Sequence, residues 1–378
     1  MTGIFESHAH YEDEAFDEDR DVLLKSLPEN GIKYVVDVGS SIDTCHKIIE
    51  LIPKWDYMYG ALGIHPEEIR TVTDEDMEWL RKEAAANGKI VAIGEIGLDY
   101  YWDKDNKEQQ KEFFERQLVL AKELKKPVIV HSREAALDTY EVIKTSADRD
   151  NSGVIHCFSY SKEEAKKYLD MGFYIGIGGV LTFKKAAKIR EVAEYVPIDR
   201  ILLETDCPYL APEPFRGKRN SSLYIPEVVK KIAEIKQLDY DEVIDITFKI
   251  FLMVALVLIG LGTYFLVKDI KNNANCYKVK VRITQKEQVG EDSYLYYVDY
   301  TVNGETYSHI AYKPVNSDNA HLGGTEKAYA DKDNPYNLRR RMGPAVIIIL
   351  YVMGGAFLFV GVVSGIKEVR TKKIKKNY

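Results

Sequence analysis

In the stretch IFESHAHYED, His8 and His10 follow a short apolar run and are separated by one small residue. Residues two apart in an extended strand face the same side, so both imidazoles can reach one ion. Alone, such a triplet is a weak signal and reads more readily as two polar residues near the start of a chain. Further on stand Glu95 in GEIGLDYY, His131 in PVIVHS, His156 in GVIHCFS and Asp206 in LLETDCP. Imidazole and carboxylate ligands without thiolate suit zinc, manganese or magnesium, and these six groups are too many for one open catalytic ion. Two ions sharing a carboxylate is the economical solution. Metals about 3.5 to 4 Å apart acidify a shared water and clamp the attacking and leaving oxygens, so hydrolysis of a phosphoester or an amide follows. Glu95, set among Val91, Ile93 and Ile96, is costly to bury unless paired or metal-bound. His65, followed by Pro66, reads either as a site residue or as a strand-ending residue bonded to backbone. The four cysteines show no Cys-x-x-Cys spacing, which argues against a thiolate zinc site and a disulfide framework, and fits a cytosolic enzyme part.

Eight short apolar runs could carry these residues: IFESHAH from 4, YVVDVG from 34, MYGALGIH from 58, IVAIGEIGLD from 90, PVIVHS from 127, GVIHCFS from 153, FYIGIGG from 173 and ILLETDCP from 201. Stretches with helical spacing lie between most of them, such as 107–126 and 161–172, the second with a capping-type start and a glycine end. Eight strands alternating with helices over about 250 residues predict an α/β fold, a (β/α)8 TIM barrel spanning residues 1–248. A doubly wound open sheet is the alternative, but its glycine-rich first turn is missing. On the barrel every one of the six residues falls near the carboxyl end of a strand, where barrel enzymes keep their chemistry.

The set SHAHYED, GIHPEE, GEIGLDYYWD, PVIVHSREA, GVIHCFS, GGVLTFK and LLETDCPYLAPEPFRGKRN, in that order and spacing, resembles the TatD family of metal-dependent deoxyribonucleases, a branch of the amidohydrolase superfamily. The resemblance covers roughly residues 4–248. It implies a TIM barrel that holds divalent metals and hydrolyses DNA phosphodiesters, often as an exonuclease, with some members acting on other phosphoester or acyl substrates. Carried over residue by residue, one ion falls to His8, His10, Glu95 and Asp206 and a second to Glu95, His131 and His156, with Glu95 as the bridge. Two divalent ions (Mg2+, Mn2+ or Zn2+) are thus the expected cofactors, DNA the expected substrate, and Glu95 and Asp206 the expected catalytic residues. Asp206 is also suited to orient or deprotonate the nucleophilic water. For substrate binding the candidates are His65, Arg133 and the loop residues Arg216, Lys218 and Arg219. Arg133 offers a guanidinium fork to phosphate, or else pairs with Glu134 or Asp138. Two departures from the family pattern stand out: Glu6 replaces the usual aspartate, and after DYDEVIDITF an apolar segment begins where a closing helix would continue. A different ester, amide or aminoacyl substrate remains an alternative, as does a membrane scaffold or fusion product with an impaired barrel.

The net charge of −7 conceals a split: residues 249–378 hold 19 Lys+Arg against 11 Asp+Glu, leaving 33 against 48 for residues 1–248. An acidic barrel is unusual for a nucleic-acid enzyme and throws the affinity onto the metals and the basic loop. The runs 250–267 and 344–366 contain no charged residue, and each is about long enough to cross a bilayer core of roughly 30 Å. Two transmembrane helices (249–267 and 344–366) are therefore expected, buried core helices being the alternative. They enclose a small β-rich, extracytoplasmic domain at 268–343, in which Asn303-Gly304 signals a type I′ hairpin and no metal-ligand spacing in the sequence surrounds His309 or His321. The basic tail 367–378 puts the C-terminus, and with it the hydrolase part, in the cytoplasm of a bacterial inner membrane, although Arg339 to Arg341 pull the other way. No secretory signal is visible. Helix, β domain, helix and basic tail resemble a DUF3592-type membrane protein, which adds an architecture and no activity.

Overall fold

The computed structural model describes residues 3–146, 153–248, 276–288, 294–312, 321–332, 334–336 and 338–339. The chain divides into two compact units.

In the first unit, β1 (Ile4–Ala9), β2 (Ile32–Val38), β3 (Met58–Leu62), β4 (Ile90–Asp99), β5 (Val128–Arg133), β6 (Gly153–Ile155), β7 (Tyr174–Ile177) and β8 (Ile201–Leu203) form one sheet in sequential order. All of its neighbours pair in parallel. That order excludes the doubly wound sheet. Closure between the first and last strands comes from a parallel bridge of Ala9 to Cys207, the His10 N–H to Cys207 carbonyl bond (2.9 Å) and the Ser7 hydroxyl on the Leu203 carbonyl (3.0 Å). The result is the expected TIM barrel.

Seven helices connect the strands, α1 (Arg20–Ser26), α2 (Ile42–Leu51), α3 (Asp74–Ala86), α4 (Lys107–Leu124), α5 (Ala136–Ser146), α6 (Lys162–Asp170) and α7 (Ala187–Tyr195), and α8 (Ile225–Lys236) follows β8. Their ends follow local chemistry. Ser161 caps α6 by accepting the Glu164 N–H, and α4 stops where Lys125 turns left-handed (φ 54°) two residues before Pro127. Within α4, Phe113, Phe114, Gln117, Leu118 and Ala121 recur at helical spacing and are buried. A separate small cluster of Val36, Val38, Ala61, Ala92, Ile129 and Val154 draws only on β2 to β6, so it fills the barrel interior. Residues 240–248 form a further helix that buries Val243 and Phe248, with the Phe248 ring stacked on Tyr34. The segment DYDEVIDITF therefore does pack on the barrel.

The second unit is a five-stranded antiparallel sheet, ordered β11 (Glu305–Tyr312), β10 (Tyr294–Val302), β9 (Cys276–Gln288), β12 (Thr325–Asp331) and β13 (Leu338–Arg339). Asn303 (φ 53°) and Gly304 (φ 86°) are both left-handed, as a type I′ turn between β10 and β11 requires. The runs 250–267 and 344–366 and the basic tail lie outside the described residues. Among the described residues no helix is long and apolar enough to cross a membrane.

Candidate active site at the carboxyl ends of the strands

The six residues expected to bind metal converge. β1 supplies His8 and, just past its end, His10; β4 supplies Glu95; β5 supplies His131; His156 follows β6 directly, and Asp206 stands three residues beyond β8. Asp206 adopts a left-handed conformation (φ 57°), pinned by its own N–H on the His8 carbonyl (3.0 Å) and by Tyr209 N–H on its carbonyl (2.9 Å).

Glu95 stands at the centre, with its two oxygens turned to different histidines. Oε1 lies 2.9 Å from His131 Nδ1, 2.9 Å from His156 Nε2 and 3.8 Å from His65 Nε2. Oε2 lies 3.6 Å from His8 Nε2 and 3.9 Å from His10 Nε2. Asp206 Oδ1 closes the second group, 3.4 Å from His10 Nε2 and 3.7 Å from His8 Nε2. His8 Nε2 and His10 Nε2 are themselves 3.1 Å apart, so two lone pairs would repel there without a proton or a cation between them. Metal bonds of about 2.1 Å put neighbouring tetrahedral ligand atoms about 3.4 Å apart. The separations here straddle that value, and the donors are imidazole nitrogen and carboxylate oxygen, so the residues fit divalent cations. Among the described residues three groups are close enough to hold an ion: His8, His10 and Glu95; His8, His156 and Glu204; and His65, Glu95 and His131.

The same packing divides the titrating groups into two kinds. Burial would raise the Glu95 carboxyl, but the charges of His156 and His65 and hydrogen bonds from His131 and His156 hold it well below the usual range. Burial opposes protonation of His131 as well, and Asp99 and Glu95 outweigh it, lifting the imidazole to about 9. His10 is held well above its ordinary value in the same way, by Asp206 and Glu12 against burial. His8 and His65 go the other way, to about 4 and about 3, through burial and the neighbouring charges of His156 and His131 respectively.

An outer layer holds the imidazoles in orientation. Asp99 Oδ2 lies 3.0 Å from His131 Nε2, and the Val38 carbonyl lies 2.7 Å from His10 Nδ1. Glu204 accepts the Cys157 N–H through Oε1 (2.6 Å) and turns Oε2 to His156 Nδ1 at 3.8 Å, and burial raises its carboxyl to about 7. Glu6 accepts from Thr205 N–H, Thr205 Oγ1, Ser222 Oγ and His8 N–H at 2.8–3.2 Å, which ties β1 to the loop after β8. Neither Asp99 nor Glu204 was singled out from the sequence. For Glu204 a signal was present, since it lies two residues before Asp206 at the end of an apolar run, as His8 does before His10.

The expected substrate-binding residues are dispersed. His65 belongs with Glu95 and His131 in one metal-capable group. Exposed Arg133 stacks over Tyr101 (4.0 Å) and near Trp102 (5.6 Å), while Asp138 pairs with Lys111 instead. Arg216 lies over Phe183 and Lys218 near Phe215. Arg219 grips both Asp19 oxygens (2.8 and 2.6 Å) and the Ala15 carbonyl (2.6 Å). A bidentate carboxylate partner thus engages one member of the expected basic cluster.

Known proteins are similar to this chain. The metal-dependent hydrolase YabD of Bacillus subtilis is 42% identical over 244 residues, spanning 65% of this chain and 95% of the relative. The 3'-5' ssDNA/RNA exonuclease TatD of Cronobacter sakazakii is 32% identical over 225 residues, 58% of this chain and 85% of its own. The crystal structure of the TatD homologue YjjV of Escherichia coli K12 superposes with a TM-score of 0.62 at 28% identity, covering 65% of this chain and 95% of that one. Residues 5–255, most of the chain and all of the barrel, match the TatD-related DNase family, and the protein accordingly belongs to that family of metal-dependent hydrolases.

Proposed function

We propose that the barrel hydrolyses DNA phosphodiester bonds with two divalent ions held about Glu95. The observation that carries this reading is the split use of one buried carboxylate, Oε1 toward His131 and His156 and Oε2 toward His8 and His10. The ions would be held by His8, His10, Glu95 and Asp206 on one side and by Glu95, His131 and His156 on the other. When bound they would polarise the scissile phosphate and acidify the attacking water. Asp206 is lowered below the usual carboxylate range because the hydrogen bond to His10 and the histidine charges outweigh burial, so it is ionised and able to accept the proton of that water at a carboxylate oxygen. Asp99 holds the far nitrogen of His131 at 3.0 Å, and Glu204 stands beside that of His156 at 3.8 Å. Arg133, exposed on β5 two residues past His131, would take a phosphate of the substrate. The nuclease name of the Cronobacter relative supports the substrate class. Purified full-length protein should release nucleotides from DNA with Mg2+, Mn2+ or Zn2+, and Glu95→Ala and Asp206→Ala should not. Wild-type protein inert on DNA with all three ions overturns the reading.

We also propose that residues 250–267 and 344–366 anchor the chain in a bacterial inner membrane with the barrel on the cytoplasmic side. The support is the absence of charge in both runs and the basic tail that follows. Recovery of the full chain in the soluble fraction without detergent would sink this.

A further inference from the structure

Of the three tryptophans, Trp55 and Trp79 pack against the core, whereas Trp102 is 64% exposed and its neighbour Tyr101 is 43% exposed. Both stand in the loop after β4, at the same end of the barrel as the metal-capable cluster, with their rings edge-to-face at 4.8 Å. Their exposure does not come from a loose loop. Asp99 Oδ1 accepts the N–H groups of Tyr101 (2.8 Å) and Trp102 (2.9 Å). The buried Gln110 amide accepts the Asp99 N–H (2.9 Å) and donates to the Asp99 and Asp103 carbonyls (3.0 Å each), and Asp103 is paired with Arg70 (2.7 Å). The other oxygen of Asp99, Oδ2, faces His131 Nε2 at 3.0 Å. One carboxylate thus fixes both the aromatic pair and a histidine of the site.

Arg133 completes the group, its guanidinium 4.0 Å from the Tyr101 ring centre and 5.6 Å from that of Trp102. An exposed indole on a pinned backbone, beside a stacked cation, offers a π-face and an anion partner together. A protein partner would need a broader apolar patch. A nucleotide with an unstacked base matches both parts, the base on the ring and its phosphate on Arg133. In a duplex those base faces are hidden.

We propose that Trp102, Tyr101 and Arg133 form a stacking platform for an unpaired base, which selects single-stranded nucleic acid for this site. The inference rests on the phosphodiesterase reading for its biological use, but the binding it asserts does not need bound metal. The test is a titration of full-length wild-type and Trp102→Ala protein in EDTA with hexathymidylate, the same hexamer in a duplex, and a hexamer of abasic sugar-phosphate, followed by fluorescence anisotropy of a labelled end. Wild-type protein should bind the single strand best, and Trp102→Ala should bind it roughly 10- to 100-fold more weakly, as expected for one lost base stack. Trp102→Phe, which retains a ring, should recover most of the loss, and the abasic hexamer should not distinguish wild type from Trp102→Ala. Equal binding of hexathymidylate by wild type and Trp102→Ala, or equal binding of single strand and duplex by the wild type, overturns the platform. Either result leaves metal-dependent hydrolysis untouched. Conversely, wild-type protein that binds as described but cleaves no phosphodiester keeps the platform and removes the nuclease.

Discussion

Histidine meets opposite fates in the two units. In the barrel His8 and His156 are buried, stacked on each other at 3.9 Å and ringed by Glu95, Glu204 and Asp206, whereas in the sheet His309 lies exposed against the Tyr297 ring at 4.0 Å. The contrast extends to the cores. The barrel buries Glu6, Glu12, Asp37, Glu95, Asp99 and Glu204, while among the described residues of the sheet the buried side chains are apolar or aromatic, such as Val281, Ile283, Val298 and Tyr300. Burying a charge that has no partner costs several kcal/mol, so a core that sets Glu12, Glu95, Asp99 and Glu204 against histidines is built to hold something charged. A core of valine and isoleucine is built only to hold itself.

The comparison can be broken at several depths. Glu95→Ala removes the one carboxylate shared by both histidine groups and should lower metal-dependent hydrolysis by roughly a thousandfold or more, measured as kcat on DNA at saturating metal. Next comes pH. In the metal-free protein His131 is protonated below about 9, and a metal must displace that proton. Metal affinity should therefore rise between pH 7 and 9, by up to about tenfold per unit, with proton uptake by the buffer measured by calorimetry; a flat profile would show that His131 is not displaced. Asp99→Asn, which weakens the hold on His131 Nε2, should cost about 10- to 100-fold in metal affinity or activity. In the sheet, Ile283→Ala should destabilise its own unit by about 3 kcal/mol, seen as faster hydrogen exchange in β9 and β10, and should leave hydrolysis unchanged. A parallel loss of hydrolysis in Ile283→Ala would mean that the two units do not differ as described.

Much of the site was legible because strand periodicity and residue type coincide. The eight apolar runs fall on the eight barrel strands, and of the six residues chosen by type and position five gather around the sixth, Glu95. The runs GVIHCFS and ILLETDCP read longer than the strands they carry, since β6 stops at Ile155 and β8 at Leu203. The chain then turns through left-handed Cys157 (φ 44°) and Asp206 (φ 57°), conformations that an apolar pattern does not announce. Asp99 was hidden for another reason. It reads as the polar end of GLDYY, and its role depends on the pairing of β4 with β5, which sets Gly97 beside His131 and Asp99 beside Arg133. Arg219 and Asp19, 200 residues apart in sequence, are likewise joined only by the closed barrel. The membrane-spanning segments expected from hydropathy fall outside the described residues, so that expectation stands on the sequence alone.

The central claim is that Glu95 joins two histidine groups into one metal site. Metal stoichiometry, measured by titrating metal-stripped full-length protein with Mn2+ or Zn2+, tests it most directly when wild type and Glu95→Ala are compared side by side. The account predicts two ions per chain for the wild type and, for Glu95→Ala, at most one weakly held ion with no hydrolysis of DNA. Two tightly held ions in Glu95→Ala would contradict it.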